Sequence, residues 1–408
     1  MNIHHHGAAS GPAGSAGEVF AVFLKLGLTS FGGPIAHLGY FRDELVLRRK
    51  WLGEAEFADL VALCQFLPGP ASSQVGFALG LLRGGGLLGG LAAWLAFTLP
   101  SALILLGFAF GAASLSGPVT DAMLHGLKLV AVAVVGQAVW GMARTLTPDR
   151  QRVAIAFAAI CLTVFPGGAA GQVGAILMGA LAGLLLCRDT HGAPPIASGV
   201  PISRRGGLIA LGLFAVLFAL LPIWAGMRDS QLLALFGAFY RAGALVFGGG
   251  HVVLPLLQAE LVPRGWIDGE AFLAGYGVAQ AVPGPLFTFA AYLGAVMDTR
   301  PDGIGGAIIA LAAIFLPGML LVYGTLPFWS ALKAQPLAQA GIGGANAAVV
   351  GILGAALHDP VWTGSVMSSA DFVLALAGFL LLAVWRAQPW MVVLLLAGGS
   401  ALLSCLQP

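Results

Sequence analysis

Lys25 and Arg241 each sit inside an apolar stretch, six residues ahead of a phenylalanine that opens a glycine motif. The two motifs are Phe31-Gly32-Gly33-Pro34 and Phe247-Gly248-Gly249-Gly250. A cation in the middle of a bilayer costs about 2.5–3.5 kcal/mol on insertion scales, so it needs a partner, a wet cavity or a route to the interface. Further on come Pro68-Gly69-Pro70 and Pro283-Gly284-Pro285, each preceded three residues earlier by Gln65 or Gln280. Proline at a first helical position with glycine before it marks a fresh helix start. A helix start leaves N–H groups unpaired and carries a positive dipole end, which suits an anion. Ser72 and Ser73 follow the first turn and Thr288 follows the second, adding hydroxyl donors. The expected substrate site therefore comprises Lys25, Arg241, Gly32, Gly33, Gly69, Gly248, Gly249, Gly284, Gln65, Gln280, Ser72, Ser73 and Thr288. The competing reading of each break is a packing kink, which is common in membrane helices.

Three residues could carry a coupling proton: His37 and His251 beside the glycine motifs, and Asp59, three residues into an apolar run. Asp59 is an alternative partner for Lys25, or a cap for an interfacial helix end. Lys128, with His125 one turn before it, reads as interfacial. Glu54, Glu56, Asp268 and Glu270 read as acids of helix first turns, beside Trp51 and Trp266 as interface anchors.

The elements that must hold these residues are hydrophobic almost throughout. Of the 408 residues 59% are apolar and 9% charged, where a soluble fold carries about 25% charge. A water-soluble enzyme is excluded, as are a disordered chain, collagen and a disulfide scaffold. A net charge of +2 gives no reason to expect nucleic acid. The four cysteines show no metal-ligand or CxxC spacing and read as free thiols. No cofactor or catalytic motif occurs: no GxSxG, HExxH or Walker A sequence. Thirteen apolar segments of near-spanning length run from residue 18 to residue 405. The chain is thus read as an all-α polytopic membrane protein.

Those segments form a duplication. Beyond the motifs above, Glu44-Leu45-Val46 returns as Glu260-Leu261-Val262, Trp51 as Trp266, Phe57 as Phe272, and Pro100 as Pro317, at shifts of 215–217. The domains read as a flexible tail over 1–17 containing His4-His5-His6, a first repeat over 18–190, a linker and connector helix over 191–230, and a second repeat over 231–408. Equivalent loops differ in charge: the one before Trp51 carries Arg42, Arg48, Arg49 and Lys50, its counterpart only Arg264. Lys/Arg-rich loops face the cytoplasm, so the second repeat is expected to be inverted. If the two segments opening each half are re-entrant, thirteen Lys/Arg fall on one face and three on the other, a cleaner division than thirteen simple crossings yield. Both arrangements put the N-terminus in the cytoplasm and the C-terminus outside.

The paired Phe-Gly-Gly and Pro-Gly-Pro motifs, with Trp51 and Trp266 between them, resemble the long-chain, two-domain form of the chromate ion transporter family over residues 18 to 405. The resemblance implies a carrier of the cell inner membrane that exports chromate, a tetrahedral dianion similar to sulfate. It departs at Gly250, where the first motif has Pro34. Potential-driven export by alternating access, with proton or anion exchange as an option, is the function expected. A proton-coupled sulfate or oxyanion importer and an anion channel are the alternatives, and a homodimer is compatible with the sequence.

Overall fold

The structure is a computed structural model, and it describes residues 14–112, 117–165, 168–187, 202–228, 230–333 and 335–406. The His4-His5-His6 tail and most of the expected linker, residues 188–201, lie outside the described residues. Every regular element described is helical. The first repeat contains α1 (Ala16–Thr29), α2 (Gly33–Phe41), α3 (Glu54–Phe66), α4 (Ala71–Arg83), α5 (Leu87–Ala112), α6 (Pro118–Leu146), α7 (Arg150–Val164) and α8 (Gly168–Leu186). A single helix, α9 (Arg204–Arg228), leads to α10 (Gln231–Leu245), α11 (Val253–Leu261), α12 (Gly269–Ala279), α13 (Phe289–Val296) and α14 (Gly303–Thr325). A short α15 (Trp329–Lys333) precedes α16 (Pro336–Ala356), α17 (Ser369–Ala383) and α18 (Pro389–Leu406). Apart from α15 the repeats correspond helix for helix. Pro100 and Pro317 fall inside the equivalent helices α5 and α14.

Six described helices are long and apolar enough to cross a membrane: Leu87–Gly111, Pro118–Leu146, Gly168–Leu186, Arg204–Met227, Gly303–Leu332 and Pro336–Trp362. Their sequences explain how they pack. α9 has the highest hydropathy of these spans and is almost unburied, as a lipid-facing connector should be. α8 crosses α16 where Gly179 and Gly183 meet Gly344, small residues that let two backbones approach without a hydrophobic driving force.

The segments that open each half do something else: they break and turn back. Lys25 Nζ lies 3.0 Å from Glu44 Oε2. At 1.5 Å per residue, nineteen residues of helix continued in one direction would separate the two by about 28 Å, beyond the reach of both side chains. The chain therefore reverses between α1 and α2. Arg42 at the open end of this hairpin forks onto Glu54, the first residue of α3, at 2.7 and 2.9 Å. Arg83, the last residue of α4, returns to Glu18 in the first turn of α1 at 3.1 Å. So α3 and α4 also double back, and both hairpins share one open end. The second half repeats the arrangement. Arg241 pairs with Glu260 at 2.8 Å across the α10–α11 reversal. Beyond α13, the Asp298 N–H donates to the Trp266 carbonyl, and Thr299 meets Gln231 at the start of α10. With α1 only 14 residues long, about 21 Å against a hydrocarbon core near 30 Å, these legs reach into a bilayer without crossing it.

Candidate functional site

The tips of the hairpins meet reciprocally. The Gly69 N–H donates to the Val246 carbonyl at 2.7 Å, and the Gly284 N–H donates to the Ser30 carbonyl at 2.9 Å. Val246 and Ser30 are equivalent positions, as are Gly69 and Gly284, so each Pro-Gly-Pro tip docks on the glycine-motif tip of the opposite half. Gly69 and Gly284 take φ values of +125° and +100°, open to glycine and strained for any residue with a Cβ. Space enforces the same choice: a Cβ on Gly284 would lie 3.0 Å from Ser101 Oγ, one residue beyond the α5 proline. At Gly69 it would lie 3.3 Å from the Cα of Gly318, one residue beyond the α14 proline. Each turn thus seats against the proline-bearing helix of the other half.

Where the tips converge, Pro34 faces Gly250, its own equivalent, which places the pseudo-two-fold axis between them. A Cβ on Gly250 would already lie 3.4 Å from Pro34 Cγ. A second proline ring would crowd this contact, which accounts for the departure of the second motif from Phe-Gly-Gly-Pro.

Beside the axis lies a cavity of about 60 Å³, room enough for several waters. One wall is the first glycine tip, Gly32 to Pro34, where α2 begins. Facing it are Gln280 and Gly284 of the second Pro-Gly-Pro tip, with His251 at the start of the α11 segment. α6 adds Gln137, a lone amide in an apolar run. Gln280 Nε2 is buried with no hydrogen-bond partner. His251 Nδ1 lies 2.9 Å from the hydroxyl of Tyr276, which is fully buried. Five of the expected site residues, Gly32, Gly33, Gln280, Gly284 and His251, are therefore brought together. Neither Gln137 nor Tyr276 was singled out from sequence. The readable sign of Gln137 was a polar side chain within otherwise apolar helical spacing; Tyr276 gave none, since an aromatic in an apolar helix looks like core.

The remaining expected residues lie elsewhere. Lys25 and Arg241 do not line the cavity; each is closed onto a carboxylate in an equivalent place. Glu44, 8% exposed, receives Lys25, Arg48 at 2.8 Å and Arg49 at 2.7 Å. Glu260, 5% exposed, receives both nitrogens of the Arg241 fork and Arg264 at 2.9 Å. Burial alone would raise the Glu44 carboxyl, but hydrogen bonds from Arg49 and Lys25, with the nearby Arg48 charge, hold it down at about 2. Lys25 thus has Glu44 as partner, not Asp59. Asp59 accepts from the Trp329 indole at 3.1 Å and caps no helix end, since Gly53 caps α3.

Ser72 Oγ lies 3.2 Å from His37 Nδ1, while His37 Nε2 is buried without a partner. Thr288 donates to the Pro285 carbonyl at 2.6 Å, so its proton serves its own turn. Ser73 Oγ is buried and unpartnered, and Gln65 is exposed. Gly248 and Gly249 stand at the equivalent of the Gly32 wall, but there Met142 and Leu146 of α6 fill the space.

Lys128 is buried and reaches the exposed carboxylate of Glu270 at 3.2 Å. Trp51 and Trp266 are likewise buried, beneath the guanidinium groups of Arg83 and Arg264 at 5.3 and 5.0 Å. Glu54, Glu56 and Glu270 stand in first turns and Asp268 caps α12, as expected.

Two halves of one all-helical transmembrane chain, each opening in a pair of broken hairpins whose tips meet at a small polar cavity, define a membrane transport protein built as a tandem repeat. The profile of the chromate transporter family matches twice, over residues 17–184 and 233–402, and the chain belongs to that family. A chromate transport protein of Pseudomonas aeruginosa is 30% identical over 398 residues, covering 96% of this chain and 92% of that one. A probable chromate transport protein of Synechococcus elongatus is 31% identical over 352 residues, covering 85% and 84%. A chromate transport protein of Cupriavidus metallidurans is 26% identical over 343 residues, covering 82% and 80%. No solved structure matches the chain.

Proposed function

We propose that this protein exports chromate across the cell inner membrane by alternating access, and that the oxyanion binds in the cavity between the hairpin tips. The observation that carries this reading is the convergence of Gly32, Gly33, Gln137, Gln280 and His251 on one space, with the Gln280 amide donor unpartnered inside it. The open α2 N-terminus and the two glutamines offer neutral donors to a tetrahedral anion. Lys25 and Arg241 act at a distance in this scheme. With Glu44 the first cluster keeps a net charge of about +2 and with Glu260 the second about +1, which draws anions towards each open end.

An inverted repeat supports alternating access, and three observations favour inversion. A single connector, α9, separates two repeats that each contain six apolar segments. The hairpin helices of the two halves do not pack along one another among the described residues; they meet at their tips, as hairpins entering from opposite faces would. The Lys/Arg distribution favours the same topology, with the N-terminus in the cytoplasm and the C-terminus outside. The direct tip-to-tip hydrogen bonds favour a carrier over a continuous pore.

Electrostatics supports the outward direction. One charge moved through 100 mV is worth about 2.3 kcal/mol, so a dianion leaving an interior at −150 mV gains about 7 kcal/mol. The test is chromate flux into inside-out membrane vesicles under an imposed potential, with sulfate as competitor. Potential-driven accumulation is expected; chromate that stays outside at every potential overturns the proposal.

A further inference from the structure

Of the three residues whose chemistry suits a coupling proton, two are sealed off from the cavity. His37 lies against Ser72 and Phe97 with its second ring nitrogen buried, and Asp59 is held by the Trp329 indole. His251 differs. It lines the cavity, and among the described lining residues it is the one titratable side chain. Its Nδ1 is engaged by Tyr276, whose hydroxyl also lies against the Gln280 side chain. A chain of polar groups thus runs from imidazole through phenol to the amide that reaches the cavity.

From the geometry we infer that His251 takes up a proton when the oxyanion binds, so that proton and anion cross together; this rests on the substrate reading above. In the neutral protein Nδ1–H donates to the Tyr276 oxygen, leaving the Nε2 lone pair for the cavity. A hydronium ion reaching the cavity passes its proton to Nε2 and leaves as water, with no bond broken in the protein and no electron transferred. The imidazolium then offers N–H and positive charge to the anion, an interaction far stronger in a dry site than in water. The Tyr276 hydroxyl, as acceptor from Nδ1, fixes which ring nitrogen is turned to the cavity. Charged groups on the packed elements do not compete. Arg241 of α10 and Glu260 of α11 are closed on each other, and Lys128 of α6 is closed on Glu270 at the start of α12. His125 of α6 is closed on Asp371 of α17, Arg144 of α6 lies over the Trp140 ring, and α8 and α16 present no charged side chain.

The loaded carrier would then move a net charge of −1 per chromate instead of −2. The purified full chain in liposomes, with a pH dye in the lumen and chromate outside at constant dianion concentration, reads this directly. The expected result is one proton arriving with each chromate. Chromate affinity should rise up to tenfold per pH unit of acidification, because coupling between two ligands is reciprocal. His251→Gln should show a flat pH profile for chromate affinity and no proton movement, whatever its absolute affinity, because the amide cannot take up the proton. Tyr276→Phe should shift the pH profile and retain the proton. Wild-type flux without protons, or a His251→Gln protein with an unchanged profile, overturns the coupling alone. A wild type that binds no chromate at any pH overturns the substrate reading and this inference with it.

Discussion

The two glycine tips are equivalent by sequence and unequal in structure. At Gly32 and Gly33 the tip borders a polar cavity; at Gly248 and Gly249 Met142 and Leu146 of α6 occupy the corresponding space. The ion clusters differ in the same spirit. Glu260 holds Arg241 through a two-pronged bond with Arg241 only 18% exposed, whereas Glu44 holds a Lys25 that is half exposed. A duplicated chain that closed both tips alike would have no open side. The inequality shows that the repeat supplies one set of joints and that α6, entering beside one tip and filling the other, decides which tip is open.

The largest effect is expected where a buried partner is removed. Glu260→Ala leaves two guanidinium groups without a counter-charge and should cost about 3–5 kcal/mol, read as loss of folded protein in detergent. Glu44→Ala should cost less, because Lys25 and Arg48 already reach solvent. Equal losses would remove the asymmetry drawn between the two clusters. Next come the tips: Gly284→Ala forces a Cβ into positive φ and against Ser101, a strain of about 1–3 kcal/mol at that residue. Chromate flux should fall at least tenfold, with a similar fall for Gly69→Ala, since the two bonds are reciprocal.

Gln280→Ala removes one donor to a charged ligand, worth about 1.5–3 kcal/mol. Chromate binding should weaken about tenfold or more, while the equivalent Gln65→Ala, on an exposed side chain, should stay within twofold. A reversed order would move the site to the other tip. The smallest effect concerns acid. With its carboxyl held at about 2 against an ordinary 4.5, Glu44 contributes stability fully present above pH 4.5 and lost as pH falls towards 2. Glu44→Gln should therefore narrow its stability gap to the wild type over that window in an acid titration.

Much of this organisation was legible beforehand because glycine and proline mark breaks wherever they stand. The duplication, the four breaks and the return of each hairpin follow from motif spacing and charge. The ion clusters were half legible. Lys25 and Arg241 stood out as cations in apolar runs, and Glu44 and Glu260 stood out as one repeated tripeptide. The link between them is the nineteen-residue spacing common to both pairs, which only a reversed chain can close. What sequence does not carry is which of two equivalent places stays open. That depends on the long side chains of Met142 and Leu146 arriving from a helix more than a hundred residues away, and nothing in the local pattern of Gly248 records their arrival.

The central claim is the location of the anion, and chromium itself reports it. Anomalous scattering from crystals of the full chain soaked in chromate should show one chromium between Gly33 and Gln280, with oxygens within hydrogen-bond distance of both. A chromium bound instead at Lys25 with Glu44, or at Arg241 with Glu260, and none between the tips, would contradict the account.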